Sequence, residues 1–303
     1  MSTWKELHDR GYALATEGDA EGAEEFLLKA IDLASREGMS DELCDSLNCL
    51  AVIYHLTDRL DDAKALFQRT IDVNPDSEEL GAAYDGLATI LCQEDRYEEA
   101  LDLYATALSE CRKHDSTAGV LEVECKLLAL MDLLGDFGES EVEAETVEQV
   151  REKAAQALKF LELKEDAGAE AIIETLDSHI EKLQQELAAS PERLVAEENA
   201  LAERSVLLGS LWGETLAKQF GWHWTFVEIG SSRILTIVSP DRSLAIYPCQ
   251  FVSSCLLDAD QDCTILLAYN MMQDGLGDVP ANGFENVMEG VFRMFPEEAA
   301  SKP

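Results

Sequence analysis

Two pairs of adjacent carboxylates, Asp61 with Asp62 and Glu98 with Glu99, are of a type that does acid–base chemistry. A looser set, Glu214, His223, Asp241 and Tyr247, offers the same groups farther along the chain. Both pairs fall where a helix is expected to begin, and negative charge there complements the helix dipole without any reaction. His223 alternates away from Trp222 and Trp224, so it faces the other side of its strand. No Ser or Cys stands in a nucleophile elbow, and Gly275 and Gly277 lack the remaining glycine of a dinucleotide loop. The expectation is that no residue is catalytic and that the chain is not an enzyme. An enzyme site in the C-terminal region is kept as one alternative.

Ligand-forming residues point the same way. Eight cysteines lie at 44, 49, 92, 111, 125, 249, 255 and 263, with no C-x-x-C pair. The five histidines, at 8, 55, 114, 179 and 223, form no H-x-x-x-H pair and no Cys/His cluster. Buried thiols in a reducing compartment account for the cysteines. No metal and no cofactor are expected. The remaining constellation is Trp212, Trp222, Trp224 and Tyr247, with Glu214 among them. These aromatics read either as the core of a small domain or as a recognition surface. Both hold if one Trp is exposed, and Trp224 is the one to test first.

The elements that position these residues are mostly helical and acidic. The formal charge is −38 over 303 residues, with the denser acid before residue 190. Such a field repels phosphate backbones and anionic lipid, which argues against nucleic-acid and membrane binding. No run approaches the roughly 18 apolar residues of a membrane span, and the first residues lack a signal-peptide layout. The expected address is the cytoplasm. The acidity suits a solvated surface or a salty habitat, and mimicry of nucleic acid toward a basic partner is a further alternative.

A unit recurs three times in the first 115 residues. The third copy places Tyr84, Leu87, Ala88, Asp95, Ala100, Tyr104 and Ala107. The second places Leu47, Leu50, Ala51, Tyr54, Ala63, Phe67 and Pro75 on the same template, and the first Leu7, Gly11, Leu14, Gly18, Ala23, Leu27 and Ala30. Small residues let paired helices approach, and the bulky ones fill the space against the next unit. This pattern resembles the tetratricopeptide repeat, with units at about 4–37, 44–77 and 81–114. The resemblance implies a concave groove lined by the first helix of each unit. On that register the groove carries Lys5, His8, Tyr12, Ala15 and Thr16, then Asp45, Asn48, Val52, His55 and Leu56. The third unit adds Ala82, Asp85, Thr89, Cys92 and Gln93. Groove polar groups of this kind hydrogen-bond a peptide. Asp45 and Asp85 oppose an acidic tail, so a neutral or basic protein segment is the expected partner.

Residues 38–43 read as an insertion that lengthens the first inter-repeat connection. A fourth helix pair is expected over 120–134 and 142–163, and a helix over 167–189 that caps the array rather than dimerises. Ser190 and Pro191 then start a new helix, and the domain boundary is drawn there, giving 1–190 and 191–303. The second part is read as a helix over 194–220 and a three-stranded antiparallel meander over 222–229, 233–238 and 244–247. Helices are expected over 251–257, 263–272 and 284–294, with a disordered tail after 295. Leu211, Trp212, Gly213 and Glu214, the Trp222–Trp224 stretch, Ser239 to Asp241 and Ile246 to Pro248 resemble an uncharacterised small α+β domain of bacterial proteins. That likeness carries no activity. The fold class is therefore mainly α, a helix-pair array followed by a small α+β domain. The function read from it is a non-enzymatic interaction scaffold. Its alternatives are an immunity or nucleic-acid-mimic protein and a C-terminal enzyme.

Overall fold

The computed structural model describes residues 2–135, 137–190, 192–274 and 280–288. The chain divides into two compact units, Met1–Gly135 with Gly230–Ser232, and Asp136–Ile229 with Arg233–Pro303.

The first unit is built from α1 (Trp4–Thr16), α2 (Ala20–Glu37), α3 (Ser40–Leu56), α4 (Leu60–Val73), α5 (Leu80–Gln93), α6 (Tyr97–Lys113) and α7 (Thr117–Leu134). The chain starts α1 with a capping box, in which Thr3 accepts from the Glu6 amide and the Glu6 carboxylate returns the bond. Asp19 and Ser116 cap α2 and α7 with a single bond each, accepting from the amides of Gly22 and Gly119. The turn inside each pair passes through a left-handed residue, Gly18, Asp58 or Asp95. Aspartate tolerates that conformation because its short side chain bonds locally.

Packing follows the repeat template. Ala23, Ala63 and Ala100 are fully buried, as is Leu27, and Phe67 and Tyr104 nearly so. Each large side chain so buried contributes about 1.5–3 kcal/mol. Gly86 is required by the fit, since a Cβ there would lie 2.3 Å from Cζ of Phe67. The residues 38–43 do not lengthen a connection. Gly38 ends α2 with φ of 71°, and α3 starts two residues later. Asp41 and Glu42 in its first turn suit the helix dipole, so the extra residues extend the helix instead.

The fourth helix pair is not formed as expected. α7 packs on α6 and α5, whereas α8 (Ala144–Phe160) packs on α11 (Glu198–Phe220) in the second unit. α9 (Ala169–Ala188) likewise does not serve as the array's cap. Its stripe of Ile173, Leu176, Ile180, Leu183 and Leu187 is buried in one core with Leu208, Leu211, Trp212 and Leu256. The boundary expected at residue 190 therefore lies inside the second unit. The apolar face of α9 was read correctly, but its partner lies later in the chain.

In that unit α11 is wrapped by α8, α9 and α12 (Pro248–Leu257). Small residues make room: a Cβ on Gly209 would lie 2.7 Å from the Cys249 backbone. The segment expected as one helix over 194–220 is α10 (Glu192–Ala196) followed by α11. The meander is present as β2 (His223–Ile229), β3 (Ser232–Val238) and β4 (Leu244–Ile246). It belongs to a five-stranded sheet of order β1-β2-β3-β4-β5. β1 (Gly138–Ser140) adds antiparallel to β2, and β5 (Glu285–Asn286) parallel to β4. α12 starts earlier than expected, with Pro248 in its first turn, and α13 spans Ile265–Asp274. The expected helix over 284–294 begins instead as β5. Residues 287–288 that follow are helical, and residues 289–294, the tail and the start at Pro191 lie outside the described residues.

Candidate functional site

The residues expected to line the groove lie on α1, α3 and α5. Tyr12, Val52 and Leu56 are 37, 47 and 77% exposed, and it is their grouping that is informative. With Ala15, Leu27 and Ile53 they line a cleft of about 560 Å³. Asn48 also lines it but is buried. Its amide donates to the Glu79 carbonyl at 2.8 Å and to Glu79 Oε2 at 3.0 Å. Its Oδ1 is buried with no partner among the described residues. A buried acceptor left unpaired is costly.

The other predicted groove residues are joined to one another. Gln93 Nε2 lies 2.9 Å from His55 Nε2. Thr89 Oγ1 lies 3.2 Å from the Tyr104 hydroxyl and donates to the Asp85 carbonyl. Asp85 does not stand free as a repelling charge: Lys126 of α7 donates to both of its oxygens, at 2.8 and 2.6 Å. Burial alone would lower the Lys126 pKa, but Asp85 and Glu122 hold it above the usual lysine range. The other carboxyls here are Asp45 on α3 and Glu79 just before α5. Burial pushes both above their ordinary range, against His8 and Asn48 respectively.

Three groove residues escaped the sequence reading. Lys126 occupies, on α7, the place that the template gives groove residues on earlier helices. Extending the register by one helix finds it. Cys49 follows Asp45 by one turn and so shares its face. Glu79 lies just before α5 and joins the groove only because Asn48 reaches across to it.

In the second unit the aromatic set separates. Trp212 is fully buried, and Trp222 and Tyr247 are 7 and 4% exposed, so these three are core and not a surface. Large side chains are what a core built of one helix bundle and a small sheet needs to fill it. Trp224 is half-buried and packs its ring against Gly213. Its indole N–H donates to Oε1 of the buried Glu214 at 2.9 Å. Arg151 Nε lies 3.8 Å from the other oxygen of Glu214. This pair faces a cavity of about 410 Å³ that also holds Leu158, Glu165 and Lys218. Asp241 does not join it, since it accepts from Ser239 and Ser243 within its own turn. Among the described residues no helix is long and apolar enough to cross a membrane.

Family models of the tetratricopeptide repeat match residues 7–37, 43–74 and 80–114. No curated protein matches the chain. The helix pairs, their left-handed turns and the buried small residues agree with those matches. Residues 7–114 are three tetratricopeptide repeats, a scaffold of the kind that serves protein–protein interaction.

Proposed function

We propose that the protein is a non-enzymatic adaptor whose repeat groove takes an extended segment of neutral or basic character from a protein partner. The carrying observation is the cleft beside Tyr12, Val52 and Leu56, apolar on its walls and next to Asn48 with its unpaired acceptor. Apolar side chains of the segment would fill the cleft, and a backbone N–H would reach Asn48 Oδ1. Asp45 and Glu79 nearby favour a segment with Lys or Arg at that end.

Selection from a random peptide library against the full-length chain tests this. The expected result is enrichment of segments that pair apolar residues with a basic one, with binding lost in Val52→Asp and Leu56→Asp. Enrichment of purely basic peptides, released steeply by moderate salt and indifferent to those variants, would favour the charge-mimic alternative. The cavity at Glu214 supports the enzyme alternative in one respect, a buried carboxylate facing a concave space. Both of its oxygens already face donors, Trp224 and Arg151, and Thr215, which also lines the cavity, donates its hydroxyl to the Leu211 carbonyl. The groove is the better-supported site.

A further inference from the structure

We propose that His8, Asp45 and Cys49 form a binding site for a zinc-type divalent cation between α1 and α3. Each offers one ligand atom, and these atoms all lie within 4.8 Å of one another. His8 Nε2 is 3.5 Å from Asp45 Oδ2. Cys49 Sγ is 4.0 Å from His8 Nε2 and 3.8 Å from Asp45 Oδ1. Metal bonds of about 2.0–2.3 Å at tetrahedral angles set such donors about 3.4–3.6 Å apart. A small inward shift of the side chains closes the difference.

The histidine is held in the orientation that a ligand needs. Its ring lies 4.9 Å from the Trp4 ring, centroid to centroid. Its Nδ1 is 3.1 Å from Ser46 Oγ, which also accepts from Trp4 Nε1 at 2.9 Å. An N–H on Nδ1 donated to Ser46 leaves the Nε2 lone pair aimed at Asp45 and Cys49. A hydrogen bond from the other ring nitrogen fixes the tautomer of metal-binding histidines. Asp45 and Cys49 are one turn apart on α3, so the helix presents both on one face.

The donor set selects the ion. One nitrogen, one oxygen and one sulfur suit zinc or cobalt, whereas magnesium and calcium take oxygen. Three protein ligands leave a fourth position, and Asp45, with its side chain 36% exposed, opens it to solvent or to a side chain of a bound segment. The surrounding carboxylates of Asp9, Glu78 and Glu79 add a field that attracts a cation. On binding, the Cys49 S–H bond breaks, its proton passes to buffer, and the sulfur electron pair goes to the ion.

Cobalt titration of the tag-free, chelator-stripped, reduced full-length chain tests the site. The expected result is a single ion per chain with a thiolate-to-cobalt charge-transfer band, displaced by zinc. Cys49→Ser should abolish the band and Asp45→Asn should weaken binding more than about 100-fold, beyond the roughly 10–100-fold that follows loss of a group that only orients a ligand. Cys263→Ser, at a thiol in the other unit, should change neither. No charge-transfer band, or one that survives Cys49→Ser, overturns the site. Both variants are nearly isosteric, and if Cys49→Ser fails to keep the helical circular dichroism, the Asp45→Asn affinity decides.

Discussion

The two units close their cores in different ways. In the array each helix packs chiefly on the next one in the chain, from α1 through α7. In the second unit α11 is surrounded by α8, α9 and α12, and β1 pairs with a strand far along the chain. Thr225 of β2 donates to both Glu139 and Ser140, 86 and 85 residues earlier. The array is a sum of neighbour interactions, so a fault in one repeat should stay local. The second unit has no such subdivision, and a fault at its centre should be felt throughout.

The strongest way to break that comparison is at α11. Gly209→Val pushes a branched side chain into the Cys249 backbone, which cannot move without shifting α12. The expected loss is about 3 kcal/mol, at the upper end for overpacking. Three of the four tryptophans, Trp212, Trp222 and Trp224, lie in or against this core and Trp4 in the array, so in a Trp4→Phe background emission should report one cooperative transition shifted to lower temperature. A shift confined to α12, seen as hydrogen exchange at 248–257 alone, would contradict the single-core account.

The matching change in the array is Ala63→Trp. Ala63, on α4, is fully buried in the core of the array, and overpacking there should cost about 2 kcal/mol. Here hydrogen exchange should rise in α3 and α4 and fade toward α7. An unchanged melt would refute the repeat register, and uniform exchange across all seven helices would refute locality.

This contrast also explains what the residues disclosed before the structure. Ala23, Ala63, Ala100, Leu27, Phe67 and Tyr104 could be placed from spacing because their partners lie one or two helices away. The stripe of α9 was equally legible, yet its partner was not, because Ile173 and Leu176 meet α11 only after a connection that spacing does not encode. β1 is three residues long and has no alternation to read. Its place depends on Thr225 and on Arg242, whose guanidinium donates to Glu139. At the groove, the helix faces were readable but not the pairings across them, such as Lys126 with Asp85 or His8 with Cys49. Those need the superposition of helices that the repeat imposes.

A smaller change sharpens the claim that β1 is an integral strand. Thr225→Val keeps shape and removes the hydroxyl that reaches Glu139 and Ser140. The expected cost is about 1 kcal/mol, the net worth of a part-buried hydrogen bond. Exchange of the β1 amides should quicken while α11 stays protected. Equal loss of protection in both would mean that the strand cannot open separately from the core.

The smallest effect concerns charge in the array, and its sign follows from linkage. The pKa of Glu79 is raised, first by burial and against the Asn48 hydrogen bond, with Asp45, Glu78 and Asp41 adding to the rise. Its folded value thus exceeds its unfolded one, so the folded state holds the proton more tightly, and ionised Glu79 opposes folding at neutral pH. Glu79→Gln removes that charge and keeps an acceptor for the Asn48 amide. The variant should melt slightly higher than the parent near pH 7. As pH falls through the raised pKa toward the ordinary carboxylate range of about 4, the parent takes up its proton and the advantage should vanish. Paired thermal melts across that interval read the difference directly. An advantage that grows on acidification would mean that ionised Glu79 is stabilising. The groove would then be holding its charge against a cation or donor, and Asn48 would be the first partner to re-examine. No comparable pH effect should appear in the second unit when Glu79 alone is changed, because the array and that unit are separate cores.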